Sequence, residues 1–142
     1  MKTRQAGFTM IELIVVIVIL GVLAATALPK FIDLRGDAQQ AANDSVAGAL
    51  ASAMSLNYSG CAVKNNVATA GKCVTINACA GTTTTGVGAL MQGGLPTGYT
   101  AAVNAVGVDI GTTNGNTATC KVTSTNGSTT YTSTFTGIAA GN

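Results

Sequence analysis

The sequence predicts an α+β fold in which a long N-terminal helix, about residues 8–56, lays its C-terminal half on a small antiparallel sheet. Three observations predict it. No charged residue interrupts the run from Leu13 to Pro29, and apolar residues then recur every four positions at Ala38, Ala42, Val46, Leu50 and Met54. Beyond Tyr58 the chain turns to Thr, Gly, Ala, Ser and Asn, with short Thr/Val/Tyr-rich segments between Gly and Asn turns.

Phe8 to Leu28 is 21 residues, which as a helix spans ~31 Å, close to the hydrocarbon thickness of a bilayer. Pro29 is expected to kink or loosen this helix without ending it, because a helical apolar period continues beyond it. Gly21, Pro29, Gly36 and Gly48 are its weak points. The four-residue recurrence puts one apolar stripe on an otherwise polar rod, and that stripe needs a cover. Lys72–Asn77, Tyr99–Val103, Ala118–Thr123 and Thr130–Ile138 read as strands able to supply it, with "TTNGN" and "STNGS" as turns. An antiparallel sheet can bury one face on a helix and leave the other in water. "AGTTTTGVG" and "DIGTTNGNTATC" read as surface loops, or as a variable or glycosylated face.

Hydrophobic residues make up 47% of the chain and charged ones 8%, and the apolar excess lies in the N-terminal helix. The formal charge of +2 comes from Lys2 and Arg4 ahead of the apolar run, since the remaining five basic and five acidic side chains cancel. No basic patch marks a nucleic-acid site. With no histidine, no nucleophile beside a base and no acidic pair in the C-terminal part, no catalytic residue stands out and the chain does not read as an enzyme.

The four cysteines, Cys61, Cys73, Cys79 and Cys120, are separated by eleven, five and forty residues. Structural zinc uses closely spaced Cys pairs, so this spacing favours disulfides in an oxidising compartment over metal. Four cysteines allow three pairings. A small core with few aromatics would gain from such bonds, each worth about 2–4 kcal/mol.

A basic head before an apolar run has three readings. As a signal peptide it would be cut after the small-x-small triplet Ala25-Thr26-Ala27, but a carboxylate at Glu12 serves no purpose beside such a core. As a plain anchor its orientation is ambiguous, because Lys2 and Arg4 are matched by Lys30 and Arg35. Neither reading uses Glu12.

The third reading rests on Gly7, Phe8, Thr9, Met10 and Glu12 directly ahead of a membrane-length segment. "RQAGFTMIELIVVIVILGVLAATALPKF" resembles the N-terminal segment of the type IV pilins and of the related type II secretion pseudopilins, tightly over about residues 4–37. The resemblance implies a pilin fold with a leader at 1–7, a transmembrane and filament-core helix at 8–29, its amphipathic continuation at 30–58 and a disulfide-containing globular domain at 59–142. It implies cleavage between Gly7 and Phe8 and N-methylation of Phe8 by a prepilin peptidase/methyltransferase. It also implies pairing of Glu12 with the N-terminal amine of a neighbouring subunit, and unwinding between Gly21 and Pro29 in the filament. The partners it implies are identical subunits in a homopolymer, membrane lipid before assembly and an inner-membrane assembly platform, with no cofactor. The subunit would begin in the bacterial inner membrane and end in a cell-surface, extracellular filament.

"VVIVILGVLAATALPKFIDLRGDAQQAA" looks most like the mannose-sensitive haemagglutinin type of pilin. Major pseudopilins usually carry an acidic calcium-binding loop near the C-terminus, whereas Asp109 is the single acidic residue after Asp44. A major pilin serving adhesion or motility is therefore the expectation, with a pseudopilin or a non-polymerising membrane-anchored adhesion domain as alternatives. A cysteine pair bounding the C-terminal region is common in pilins, and by that resemblance Cys79 pairs with Cys120 and Cys61 with Cys73.

Overall fold

A computed structural model describes residues 7–81, 86–105 and 109–142, with the backbone alone for 28–33. Residues 1–6 of the expected 1–7 leader and part of the "AGTTTTGVG" loop lie outside the described residues. The chain separates into two compact units, 1–38 and 39–142.

The first unit consists, in its described part, of the start of helix α1, Met10–Ala62. Its long side chains from Met10 to Leu23 are exposed. The backbone stays helical through Gly21 and Pro29.

The second unit holds the remainder of α1, a 3-10 turn at Val87–Leu90, and three strands: β1 (Tyr99–Val103), β2 (Thr117–Asn126) and β3 (Thr129–Ile138). The sheet order is β1-β2-β3, antiparallel throughout. β2 and β3 form a hairpin closed by Gly127-Ser128, with Gly127 at φ 62° as the first turn residue of a II′-type turn requires. Three of the four strands expected from sequence are present, two of them longer than expected. Ala118, Cys120, Val122 and Ser124 of β2 and Ser133 and Phe135 of β3 are buried, while the intervening threonines are exposed or half-buried, which is the period-2 alternation of a sheet with one wet face.

The helical face against the sheet differs from the expected stripe. The buried positions are Asn43, Ala47, Leu50, Met54, Asn57 and Cys61, whereas Ala38 and Ala42 are exposed. A strict four-residue repeat drifts around a 3.6-residue helix, and the steps of four, three, four, three and four follow the helix properly. Asn43, outside the expected apolar stripe, is fully buried. Its Nδ2 donates to the Val122 carbonyl (3.1 Å) and to Ser133 Oγ (2.9 Å), so one amide ties α1 to β2 and β3. Beside it Gln40 Nε2 donates to the Thr132 carbonyl, and Ser133 Oγ donates to the Asp44 carboxylate.

Two further expectations are corrected. The helix runs six residues past Leu56, to Ala62, and Gly60 does not stop it. A Cβ at Gly60 would lie 2.6 Å from the Lys72 carbonyl, so this glycine lets a later segment cross close over the last turns. That segment, Lys72–Asn77, is not a strand and makes only the isolated bridges Thr69–Cys73 and Ile76–Ala140. The missing ladder partner is a side chain: Asn57 accepts from Val74 N (2.8 Å) and donates to Val74 O (2.9 Å), pairing with it as a neighbouring strand would.

Two disulfides, Cys61–Cys73 and Cys79–Cys120, join cysteines 12 and 41 residues apart. In the loop-entropy account they remove roughly 3 and 4 kcal/mol of freedom from the unfolded chain. The second anchors the loop before β1 to the centre of β2, and Gly137 makes room for it: a Cβ there would lie 2.5 Å from Cys120 Sγ.

Two predictions follow from this packing. Leu50, fully buried, contributes roughly 2–5 kcal/mol relative to alanine, so Leu50→Ala lowers the denaturant midpoint of the full chain accordingly. Hydrogen bonds from Ser133 and then Gln40 hold the Asp44 carboxyl below its ordinary value. Its contribution is therefore complete above the unfolded carboxylate pKa and disappears as pH falls through the lower folded one. Acid unfolding of Asp44→Asn, followed by circular dichroism, lacks that increment.

Candidate processing and assembly segment

Gly7, Phe8 and Thr9 precede the first helical residue, Met10. Thr9 is the helix N-cap and Glu12 the third helical residue, the spacing of a capping box. Glu12 Oε2 accepts from the Thr9 amide (2.8 Å) and the Thr9 hydroxyl (2.7 Å), while the Glu12 amide donates back to Thr9 Oγ1 (3.3 Å). The carboxylate thus satisfies an amide that the helix leaves unpartnered and sits at the positive end of the helix dipole. Sequence reasoning placed Thr9 in the motif without giving it this task. The signal was there, because Thr-x-x-Glu before an apolar run is a helix-start signature.

The Gly7–Phe8 bond lies ahead of the capped helix, and Phe8 is 85% exposed. A Cβ on Gly7 would meet nothing within 4 Å, and the residue is not at positive φ. The fold therefore makes no demand for glycine here. The same holds for Gly21, which is open to a Cβ on all sides although a helix-interior glycine costs about 1 kcal/mol relative to alanine.

From Met10 to Ala27, 18 residues are long and apolar enough to cross a membrane, and none is buried. Thr26, the polar residue near the end of this run, returns its hydroxyl to the Val22 and Leu23 carbonyls of its own helix, so it leaves no unpaired donor. An apolar helix with a self-capped carboxylate at its start fits both lipid and a bundle of like helices.

A family model described as the prokaryotic N-terminal methylation motif matches residues 2–28. The chain carries the N-terminal methylation motif of the type IV pilins. Over 53 residues it is 51% identical to the type IV narrow pilus major component PilA5 of Thermus thermophilus, covering 37% of this chain and 46% of that protein. It is 44% identical over 59 residues to the fimbrial protein EcpC of Eikenella corrodens, covering 42% and 39%. To the type IV major pilin protein PilE1 of Neisseria gonorrhoeae it is 56% identical over 39 residues, 28% and 24%. The chain thus spans less than half the length of each of these curated relatives. No solved structure matches it. The long N-terminal helix followed by a three-stranded antiparallel sheet is consistent with the α+β pilin fold.

In the second unit the structure brings Cys61 to Cys73 and Cys79 to Cys120, all four buried and none free. Asp109 spends Oδ1 on the amides of Cys79 (2.7 Å) and Ile110 (2.8 Å), a loop-holding role that sequence reasoning did not assign. No cluster of three or more His, Cys, Asp or Glu able to hold a metal occurs among the described residues.

Thr9→Ala removes the capping hydroxyl and is expected to cost the helix start about 0.5–2 kcal/mol. Amide hydrogen exchange of the full chain in micelles then speeds up at residues 10–13 and is unchanged in β2 and β3.

Proposed function

We propose that the chain is a pilin, the major structural subunit of a type IV pilus serving adhesion or motility. The observation that carries this reading is the Gly7-Phe8-x-x-x-Glu12 motif placed directly before an exposed, membrane-length helix. A prepilin peptidase cuts between Gly7 and Phe8 and methylates the Phe8 amine. The mature subunit then comprises a filament-core helix at 8–29, its amphipathic continuation at 30–58 and a disulfide-containing domain at 59–142. The precursor waits in the inner membrane, in contact with lipid and an assembly platform, before joining identical subunits in a surface filament.

Cleavage creates an ammonium one residue before the capping threonine. Among the described residues Glu12 Oε1 accepts no hydrogen bond, so one oxygen can hold the helix start while the other receives an ammonium. A carboxylate in an apolar setting costs on the order of a few kcal/mol unless paired. A subunit entering at the wrong axial height leaves that charge unpaired, so Glu12 selects one stagger where hydrophobic packing alone would allow sliding. Gly21 and Pro29 bracket the segment that unwinds on assembly. Pro29 gives no N–H to the carbonyl four residues earlier, and Gly21 loses little on leaving the helix. In the exported domain the two disulfides compensate for a core poor in aromatic residues.

A pseudopilin is the second reading. It is disfavoured because the single C-terminal carboxylate, Asp109, already bonds two loop amides and leaves no acidic set for calcium.

Intact mass and N-terminal sequencing of the surface-sheared fraction are expected to return N-methylated Phe8 with both disulfides formed. A mature N-terminus at Met1 or Leu28 would sink the reading. Glu12→Ala is expected to be processed normally yet to lose at least about tenfold in filament yield, the equivalent of one unpaired charge.

A further inference from the structure

β3 is the outer strand of the sheet, and among the described residues the Gln40 side chain, on the Thr132 carbonyl, is the one group bonded to the backbone of its free edge. After a two-residue hairpin the closing pair, Asn126–Thr129, exchanges hydrogen bonds, and the pairs then alternate. By that alternation Thr130, Thr132, Thr134 and Thr136 turn their N–H and C=O groups away from β2. The Gln40 amide bonded to the Thr132 carbonyl marks that direction. Natural sheets protect such edges with charge, proline or bulges. β3, TTYTSTFTGI, has no charge and no proline, and its register with β2 is unbroken over ten residues.

A groove of about 490 Å³ runs beside this edge, lined by Thr132, Ser133 and Thr134 and by Asp44, Ala47, Gly48 and Ala51 of α1. A Cβ at Gly48 would meet nothing within 4 Å among the described residues and its φ is not positive, yet glycine inside a helix costs about 1 kcal/mol relative to alanine.

We propose that the β3 edge and the face of α1 at exposed Gly48 and half-buried Ala51 form a self-complementary docking surface for a second copy of this chain, paired antiparallel about a twofold axis at Ser133. In that register Thr130 faces Thr136 and Thr132 faces Thr134 of the copy, so all four edge threonines meet threonines. The helices fit as well. The Asn43 amide reaches both Val122 of β2 and Ser133 of β3, which places α1 over the gap between these strands. One strand spacing on each side of the axis then separates the two copies of α1 by ~10 Å, the packing distance of helices in contact. Small residues on the facing sides are what that distance requires. The two copies of Asp44 approach near the axis, so one pair binds weakly. Where copies are arrayed along a filament, many weak pairs add. Because the twofold sets the helices antiparallel, this contact cannot be the repeat of a polar filament. It joins subunits of two filaments, and this last step rests on the polymerisation proposed above.

All native cysteines are in disulfides, so an introduced cysteine is the one free thiol. Full-length chains carrying Thr130→Cys and Thr136→Cys are mixed in detergent micelles and treated with a short bis-maleimide, as are Thr132→Cys and Thr134→Cys. Both mixtures are expected to yield cross-linked dimer. Thr130→Cys alone yields at least about tenfold less, because its two copies stand six residues apart along the strands, ~20 Å. The double variant Thr132→Lys/Thr134→Lys, placed in the Thr130→Cys and Thr136→Cys chains, abolishes the dimer without changing circular dichroism, and it disperses filament bundles. Absence of dimer in both mixtures, equal yield from Thr130→Cys alone, or bundles that survive the lysines would overturn the proposal. Cross-linking in micelles does not depend on polymerisation. Dimer without filaments therefore counts against the filament reading alone, and filaments without dimer against this surface alone.

Discussion

The second unit depends on one narrow contact, the face of α1 from Asn43 to Cys61. A helix offers about a third of its surface to any one neighbour, and here that third carries two amides, a cysteine and three buried apolar side chains, Ala47, Leu50 and Met54, with Val46 and Ala51 half-buried beside them. Apolar burial alone would hold the sheet loosely in register, because small side chains discriminate poorly between alternative placements. The two asparagines supply what is missing. Asn43 fixes the helix to the β2–β3 pair, and Asn57 substitutes for a strand beside Val74. Either amide left unpaired in the interior would cost free energy, so wrong registers are penalised where hydrophobic contact would be indifferent.

The same device recurs at the start of α1 with a carboxylate. Glu12 looks like a defect when weighed only as a charge in an apolar run. Its bonds to Thr9 give it a local task that holds whether the surrounding medium is lipid or other helices. In the proposed pilin, charge, capping and register are successive uses of one side chain, which removes the tension between a stable precursor and a polymerising subunit.

What could be read in the sequence follows from how local each signal is. β1 and the β2–β3 hairpin were legible because Thr/Val/Tyr-rich segments suit a pleated, half-buried sheet and Gly and Asn turn signals separate them, Asn126-Gly127 among them. The helix was legible from its length and apolar period, and its cap was written as Thr-x-x-Glu, though the charge of Glu12 drew attention from that spacing. Its end was not legible, since the crossing of Lys72 over Gly60 at the last turns leaves no local signal in the helix sequence. Lys72–Asn77 reads as a strand because its composition suits extended chain. Only tertiary structure reveals that its partner is the side chain of Asn57. Asn43 falls outside the expected stripe because polarity predicts exposure except where a specific partner waits, and the partners lie 79 and 90 residues away.

Glycine divides the molecule in a way that composition cannot. Gly60 and Gly137 are crowded, so a Cβ would collide with the Lys72 carbonyl or with Cys120, and the fold itself explains them. Gly7, Gly21 and Gly48 stand in open space at ordinary φ, and at the two helical positions, Gly21 and Gly48, alanine would favour the helix by about 1 kcal/mol. In the proposed pilin, Gly7 is where the peptidase cuts and Gly21 lies in the segment proposed to unwind. Gly48 is where the proposed second copy comes close. On that reading the three open glycines mark successive encounters of one subunit, with its processing enzyme, its filament and its neighbours.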